Sequence, residues 1–72
     1  MPARLSALKR ALESMGVEVL RPNSGSHWKA LRDGKTYPIA AHNAEKTEIS
    51  DVYIRGLCRC FDLDEKELRK RL

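Results

Sequence analysis

Seventy-two residues suffice for one domain, whose core is marginal unless nearly every periodic apolar position is used. Hydrophobic residues make up 42% of the chain and charged residues 33%, a globular balance that excludes a disordered or fibrous segment. No stretch approaches the roughly 18 consecutive apolar residues of a membrane span, and the charged N-terminal segment lacks the apolar run of a signal peptide. The expectation is a cytoplasmic protein with no membrane partner.

The formal net charge is +4, and its location matters more than its size. Residues 1–40 hold seven basic and three acidic side chains, whereas residues 41–72 hold seven of each. The whole surplus sits in the first part, which is the part expected to face an anion. Cys58 and Cys60 fall two apart on a predicted helix and point in nearly opposite directions, so they cannot bridge each other. One Cys-x-Cys pair is also short of a metal site, and free thiols in a reducing compartment are expected, with no metal and no cofactor.

Leu5, Leu8, Leu12 and Met15 recur at helical spacing, with Lys9, Arg10 and Glu13 on other faces. Pro2 suits the entrance and Gly16 the left-handed exit, so a first helix is predicted over residues 3–15. Val17 and Val19 then alternate against Glu18 as a short strand, stopped by the turn-forming run Pro22-Asn23-Ser24-Gly25. Residues 26–32 and 35–40 flank Asp33-Gly34, a pair suited to a two-residue hairpin turn.

That turn sets a register. Arg32 faces Lys35, Ala30 faces Tyr37 and Trp28 faces Ile39, all toward one side, which must be the core. His27, Lys29, Leu31, Thr36 and Pro38 then project from the opposite side, into solvent. Pro38 lacks an amide hydrogen, so the third strand belongs at a sheet edge.

His42 and Asn43 begin a polar connection, and Thr47 is the expected cap of the next helix. Ile49, Val52, Tyr53, Gly56, Leu57, Cys60 and Phe61 follow the spacing of one buried helical face. Gly56 inside that face implies close contact with the first helix or the sheet. Asp64 to Glu67 reads as a capping box with an aspartate cap, flanked by a Leu63–Leu68 staple. The predicted fold is α+β: helix, three-stranded antiparallel sheet, helix and a short C-terminal helix, with the helices on one sheet face.

Gly25-Ser26-His27-Trp28-Lys29 is the candidate site. An imidazole with an unperturbed pKa of about 6.5 takes or gives a proton at neutral pH. RNA needs only that, because its own 2′-hydroxyl attacks the adjacent phosphate once a base removes the proton. Lys29, two residues along on the same face, can hold phosphate charge, and Arg21 or Arg32 can extend the contact. Gly25 permits close backbone approach, and Ser26 adds a hydroxyl and an amide.

Taken alone, a strand histidine beside a loop more often merely hydrogen-bonds to backbone, and the spacing does not settle the choice. His42 is either a second candidate acid or a turn residue. Trp28, on the inward side, is read as core rather than as a stacking platform. The tail Arg69-Lys70-Arg71 is read as a solvated helix face.

Gly25-Ser26-His27 in a strand, Asp33-Gly34 in the next turn, Tyr37-Pro38-Ile39-Ala40-Ala41-His42 after it and then an amphipathic helix resemble the HicA family of toxin–antitoxin systems. The likeness runs through about Phe61. It implies a fold like the double-stranded RNA-binding domain, cleavage of mRNA with His27 as catalytic histidine, and Gly25 and Ser26 as flanking motif residues. It also implies a HicB-like antitoxin that blocks the histidine, for which the open sheet face, with Leu20 and Leu31, is the expected docking surface. The family's usual Gly-Thr-Leu step into the second helix is replaced here by Glu48-Ile49-Ser50. The alternative function on the same fold is an RNA-binding module without catalysis; DNA binding by this chain alone, through residues 49–72 as a helix-turn-helix, is not expected because the β pattern of residues 17–40 opposes it.

Overall fold

A computed structural model describes residues 1–72. The order of elements is β1 (Ala3–Arg4), α1 (Leu5–Ser14), β2 (Glu18–Leu20), β3 (His27–Arg32), β4 (Lys35–Ala40), a 3₁₀ turn (Ala44–Lys46), β5 (Glu48–Ile49), α2 (Asp51–Phe61) and α3 (Glu65–Lys70). Strands β2, β3 and β4 form an antiparallel sheet in that spatial order, so the proline-bearing β4 is an edge as expected. The chain is therefore α+β, with a three-stranded antiparallel sheet between its helical segments.

The hairpin turn has the predicted chemistry. Asp33 and Gly34 both take positive φ, 51° and 79°, which is the backbone that lets a two-residue loop match the strand twist. Arg32 pairs with Lys35, Ala30 with Tyr37 and Trp28 with Ile39. Val19, Trp28, Ala30 and Ile39 are buried and form the inward face of the sheet. Leu5, Leu8, Ala11 and Leu12 of α1, Ile54, Leu57, Cys58 and Phe61 of α2, and Leu68 of α3 close over them in one cluster.

Four expectations need correction. The first helix starts at Leu5, because Ala3 and Arg4 pair instead with Ile49 and Glu48 in a second, two-stranded sheet. Pairs of two residues are too short to leave a periodic signal, so neither strand is legible in the pattern. Thr47 does not cap α2. Its hydroxyl accepts from the Asn43 amide, and Ser50 caps the helix by accepting from the Tyr53 amide.

The buried face of α2 is rotated from the predicted one. Ile54, Leu57, Cys58 and Phe61 point inward, while Val52 is 75% exposed and Tyr53, Gly56 and Cys60 are only half-buried. Arg55 and Arg59 follow Val52 at i+3 and i+7, so they share its face and hold that face in water. Gly56 does make the expected close contact, and its neighbour is a side chain of the sheet. A methyl group built there would collide with the Tyr37 hydroxyl. Tyr37 is fixed edge-on against Tyr53 at 5.5 Å between ring centroids, and the Tyr53 hydroxyl donates to the Pro38 carbonyl.

The tail is not simply a solvated face. Asp64 caps α3 by accepting from the Lys66 amide, and Leu68 is fully buried, with Leu63 packed against the core. Arg69 reaches Asp51 at 2.9 Å, Glu65 at 3.3 Å and the carbonyl of Met1. Arg71 bonds Glu67 and the Ser14 hydroxyl at 3.1 Å each, tying α3 to the end of α1. The N-terminal ammonium and, next, the Arg69 guanidinium hold the Asp51 carboxyl below the usual carboxylate range.

Two outcomes follow from this packing. Gly56→Ala gains about 1 kcal/mol of helix propensity but overpacks by roughly 1–3 kcal/mol. Chemical denaturation is expected to give a net loss of about 1 kcal/mol, smaller when Tyr37→Phe removes the hydroxyl. An Asp51 carboxyl lowered in the fold contributes stability that is fully present above its unfolded pKa of about 3.9 and is lost as pH falls through the lowered folded value. Acid titration followed by circular dichroism is expected to show a steeper stability loss below about pH 4 for the parent than for Asp51→Asn.

Candidate functional site

The outward face of the sheet is built by strict alternation. Glu18, Leu31 and Thr36 lie across one row and Leu20, Lys29 and Pro38 across the next, while His27 stands opposite Ala40 at the end of the hairpin. His27 and Lys29 are exposed, and Leu20 is 42% exposed. The helices pack on the other side, so this face carries no covering element. His27, Lys29 and His42 make no side-chain hydrogen bond or ion pair to the protein. Both imidazoles and the ammonium are available to a ligand.

The loop before His27 takes its shape from Gly25, whose φ of 83° lies in the left-handed region that disfavours other residues. Nothing lies within 4 Å of where its Cβ would be, so the backbone there is open to approach. Ser26 is half-buried, and its carbonyl accepts from the Ala41 amide at 2.8 Å, one step beyond the last strand pair. That bond joins the loop 21–26 to the connection 41–46. Between them lies a depression of about 380 Å³ bordered by Arg21, Ser24, Gly25, Ser26, Trp28 and His42, among others.

Arg21 is placed by Trp28. Its guanidinium carbon lies 5.3 Å from the centre of the indole ring, a cation–π contact that fixes the charge at the rim. Trp28 is buried, as the alternation required, yet one edge borders the depression. Arg21 also borders a neighbouring hollow of about 490 Å³, together with Asn43, Glu45 and Lys46.

Of the sequence-predicted residues, Arg21, Gly25 and Ser26 border one depression, while His27 and Lys29 stand beside it on the outward face of the sheet. Arg32 is apart. It sits at the far end of β3, about 17 Å from His27 at roughly 3.3 Å per residue. Its guanidinium donates to the Phe61 carbonyl at 2.7 Å, neutralising the C-terminal end of α2, and lies 3.7 Å from the Asp33 carboxylate. His42, expected as a second candidate acid or a turn residue, lies in the turn 42–43 and borders the depression, and Lys46 of the polar connection borders the neighbouring hollow. The signal for them lay in the hairpin register, which already sets Ser26 against Ala41.

The chemistry open to the site is proton transfer and anion binding. The residues hold no group of three His, Cys, Asp or Glu side chains arranged to bind a metal ion. Cys58 is buried, which pushes its thiol up and leaves it protonated at neutral pH. No helix is long and apolar enough to cross a membrane.

Because Arg32 serves the fold, Arg32→Ala is expected to cost about 1 kcal/mol of stability while leaving the binding of a polyanion to the outward face unchanged. Lys29→Ala should do the reverse, weakening polyanion binding and flattening its salt dependence with an unaltered melting curve. Filter binding at several salt concentrations, set beside thermal melts, separates the two. Comparison with protein-family models, with curated proteins and with solved structures gave no significant match.

Proposed function

We propose that this protein is a metal-independent mRNA endoribonuclease, the toxin of a type II toxin–antitoxin pair, with His27 as its catalytic histidine. The observation that carries the reading is an exposed, unbonded imidazole at the end of the uncovered sheet face, with Lys29 two residues along on the same side. The resemblance to the HicA family adds the RNA substrate, the cytoplasmic setting and a HicB-like protein partner.

The reaction uses groups already present in RNA. A ribose 2′-oxygen loses its proton, attacks the adjacent phosphorus and expels the 5′-oxygen of the next nucleotide, which takes up a proton. The products are a 2′,3′-cyclic phosphate and a free 5′-hydroxyl. His27 performs one of the two proton transfers. Lys29, with Arg21 at the rim, offsets charge on the phosphate as it becomes pentacoordinate.

An antitoxin would act by occupying the same face. Leu20 is its most exposed large apolar group, and a partner seated there would cover His27 directly.

Induced expression of the parent should arrest growth and shorten cellular mRNA, and His27→Ala should abolish both while melting at the parent temperature. Loss of one acid–base group corresponds to a rate reduction of about 10²–10⁴-fold. Cleavage by His27→Ala at the parent rate would refute the assignment, and RNA binding without cleavage by the parent would leave a non-catalytic binding module.

A further inference from the structure

We infer that His42 is the second proton-transfer group of the proposed nuclease, so that the two imidazoles divide the base and acid roles across one phosphodiester. The inference rests on the ribonuclease reading above. It starts from an imbalance in that reading: cleavage moves two protons, one off the 2′-oxygen and one onto the 5′-oxygen, and His27 accounts for one.

The hairpin register places His42. His27 lies opposite Ala40, and the bond from the Ala41 amide to the Ser26 carbonyl carries the pairing one step further. Ala41 is buried, Ala40 is half-buried and His42, the first residue of the turn 42–43 that follows the strand, is exposed. His42 is then the diagonal cross-strand neighbour of His27, at about 7–8 Å between Cα atoms, a separation that aromatic side chains span.

The other two corners of this quartet are small. Ala40 stands beside His42 along one strand, and Gly25 precedes His27 along the other with open space where a side chain would be. Neither corner carries a side chain larger than a methyl group. His42 also borders the depression formed with Ser24, Gly25 and Ser26, which extends the site away from the sheet.

The position of His42 is fixed by backbone rather than by its own side chain. The Ala44 amide donates to the Ala41 carbonyl at 3.3 Å, closing the turn that contains His42 and Asn43, and the Asn43 amide donates to the Thr47 hydroxyl at 2.8 Å. Its ring stays free of protein partners. The charged groups bordering this corner are Arg21, Lys29, Glu45 and Lys46. Three of the four are cations, a balance that attracts a phosphodiester.

In the balanced step, one imidazole accepts the 2′-hydroxyl proton as the new bond to phosphorus forms. The other, protonated, donates to the 5′-oxygen as the old bond breaks. The protein ends with the protons exchanged between the rings, and solvent restores them.

The test uses an RNA oligonucleotide containing a site that the parent cleaves, made in two forms: normal, and with sulfur replacing the scissile 5′-oxygen. Sulfur leaves without an acid. On normal RNA, His42→Ala and His42→Gln should each lose about 10²–10⁴-fold in kcat. The bell-shaped pH profile of the parent should lose one limb in the His42 variants and the other in His27→Ala. Sulfur substitution should rescue the variant lacking the acid and not the one lacking the base.

Near-parent kcat for both folded His42 variants, with His27→Ala inactive, would overturn the role of His42 alone. So would a loss confined to KM, or a bell retained with both limbs. Full activity of His27→Ala would overturn the ribonuclease reading on which it rests.

Discussion

A two-residue turn with two left-handed backbones governs this molecule. Once Asp33 and Gly34 adopt positive φ, β3 and β4 can pair in one register only, and a slip by one residue would exchange every inward for every outward side chain. Trp28, Ala30 and Ile39 would then lose their burial together. The same register that places those three in the core puts His27 and Lys29 in water. Core and candidate site are two faces of one constraint, and neither can be altered by itself.

The small size of the domain sharpens this dependence. Its core holds 16 buried side chains, all of them hydrophobic, drawn from every helix and from four of the five strands' neighbourhoods. Leu68 belongs to that set, so α3 is part of the core rather than an appendage. The Arg69 contacts to Asp51, Glu65 and Met1 then fasten the chain's two ends beside the start of α2. A solvated ion network of this kind contributes little energy per pair, and its effect is to fix where α3 lies.

The division of labour among the basic residues follows from position along β3. Arg32, at the turn end, serves the C-terminus of α2, where carbonyls lack partners. Lys29, in the middle of the outward face, has Leu20 and Pro38 beside its stem and no carboxylate on its ammonium. Arg21 lies over the Trp28 ring at the opposite end. On β3 and β4 the cations without an ion pair are Lys29, in the middle of the outward face, and Lys35, at the turn.

Much of this was determined by the sequence itself. The period of α1, the Asp33-Gly34 turn, the outward placement of His27 and Lys29, the edge position of β4 and the Asp64 cap all arise from interactions between near neighbours, which leave a pattern in the residues. The rotation of α2 was not determined that way. Two apolar stripes compete along it, and the one containing Ile54 and Cys58 is buried because Arg55 and Arg59 share the face of Val52. Only the tertiary structure could pair Ala3 with Ile49, carry Arg69 to Asp51, lay Arg21 on Trp28 and assign Arg32 to Phe61. Each of these joins residues separated along the chain and depends on orientation in space, which a periodic pattern does not encode.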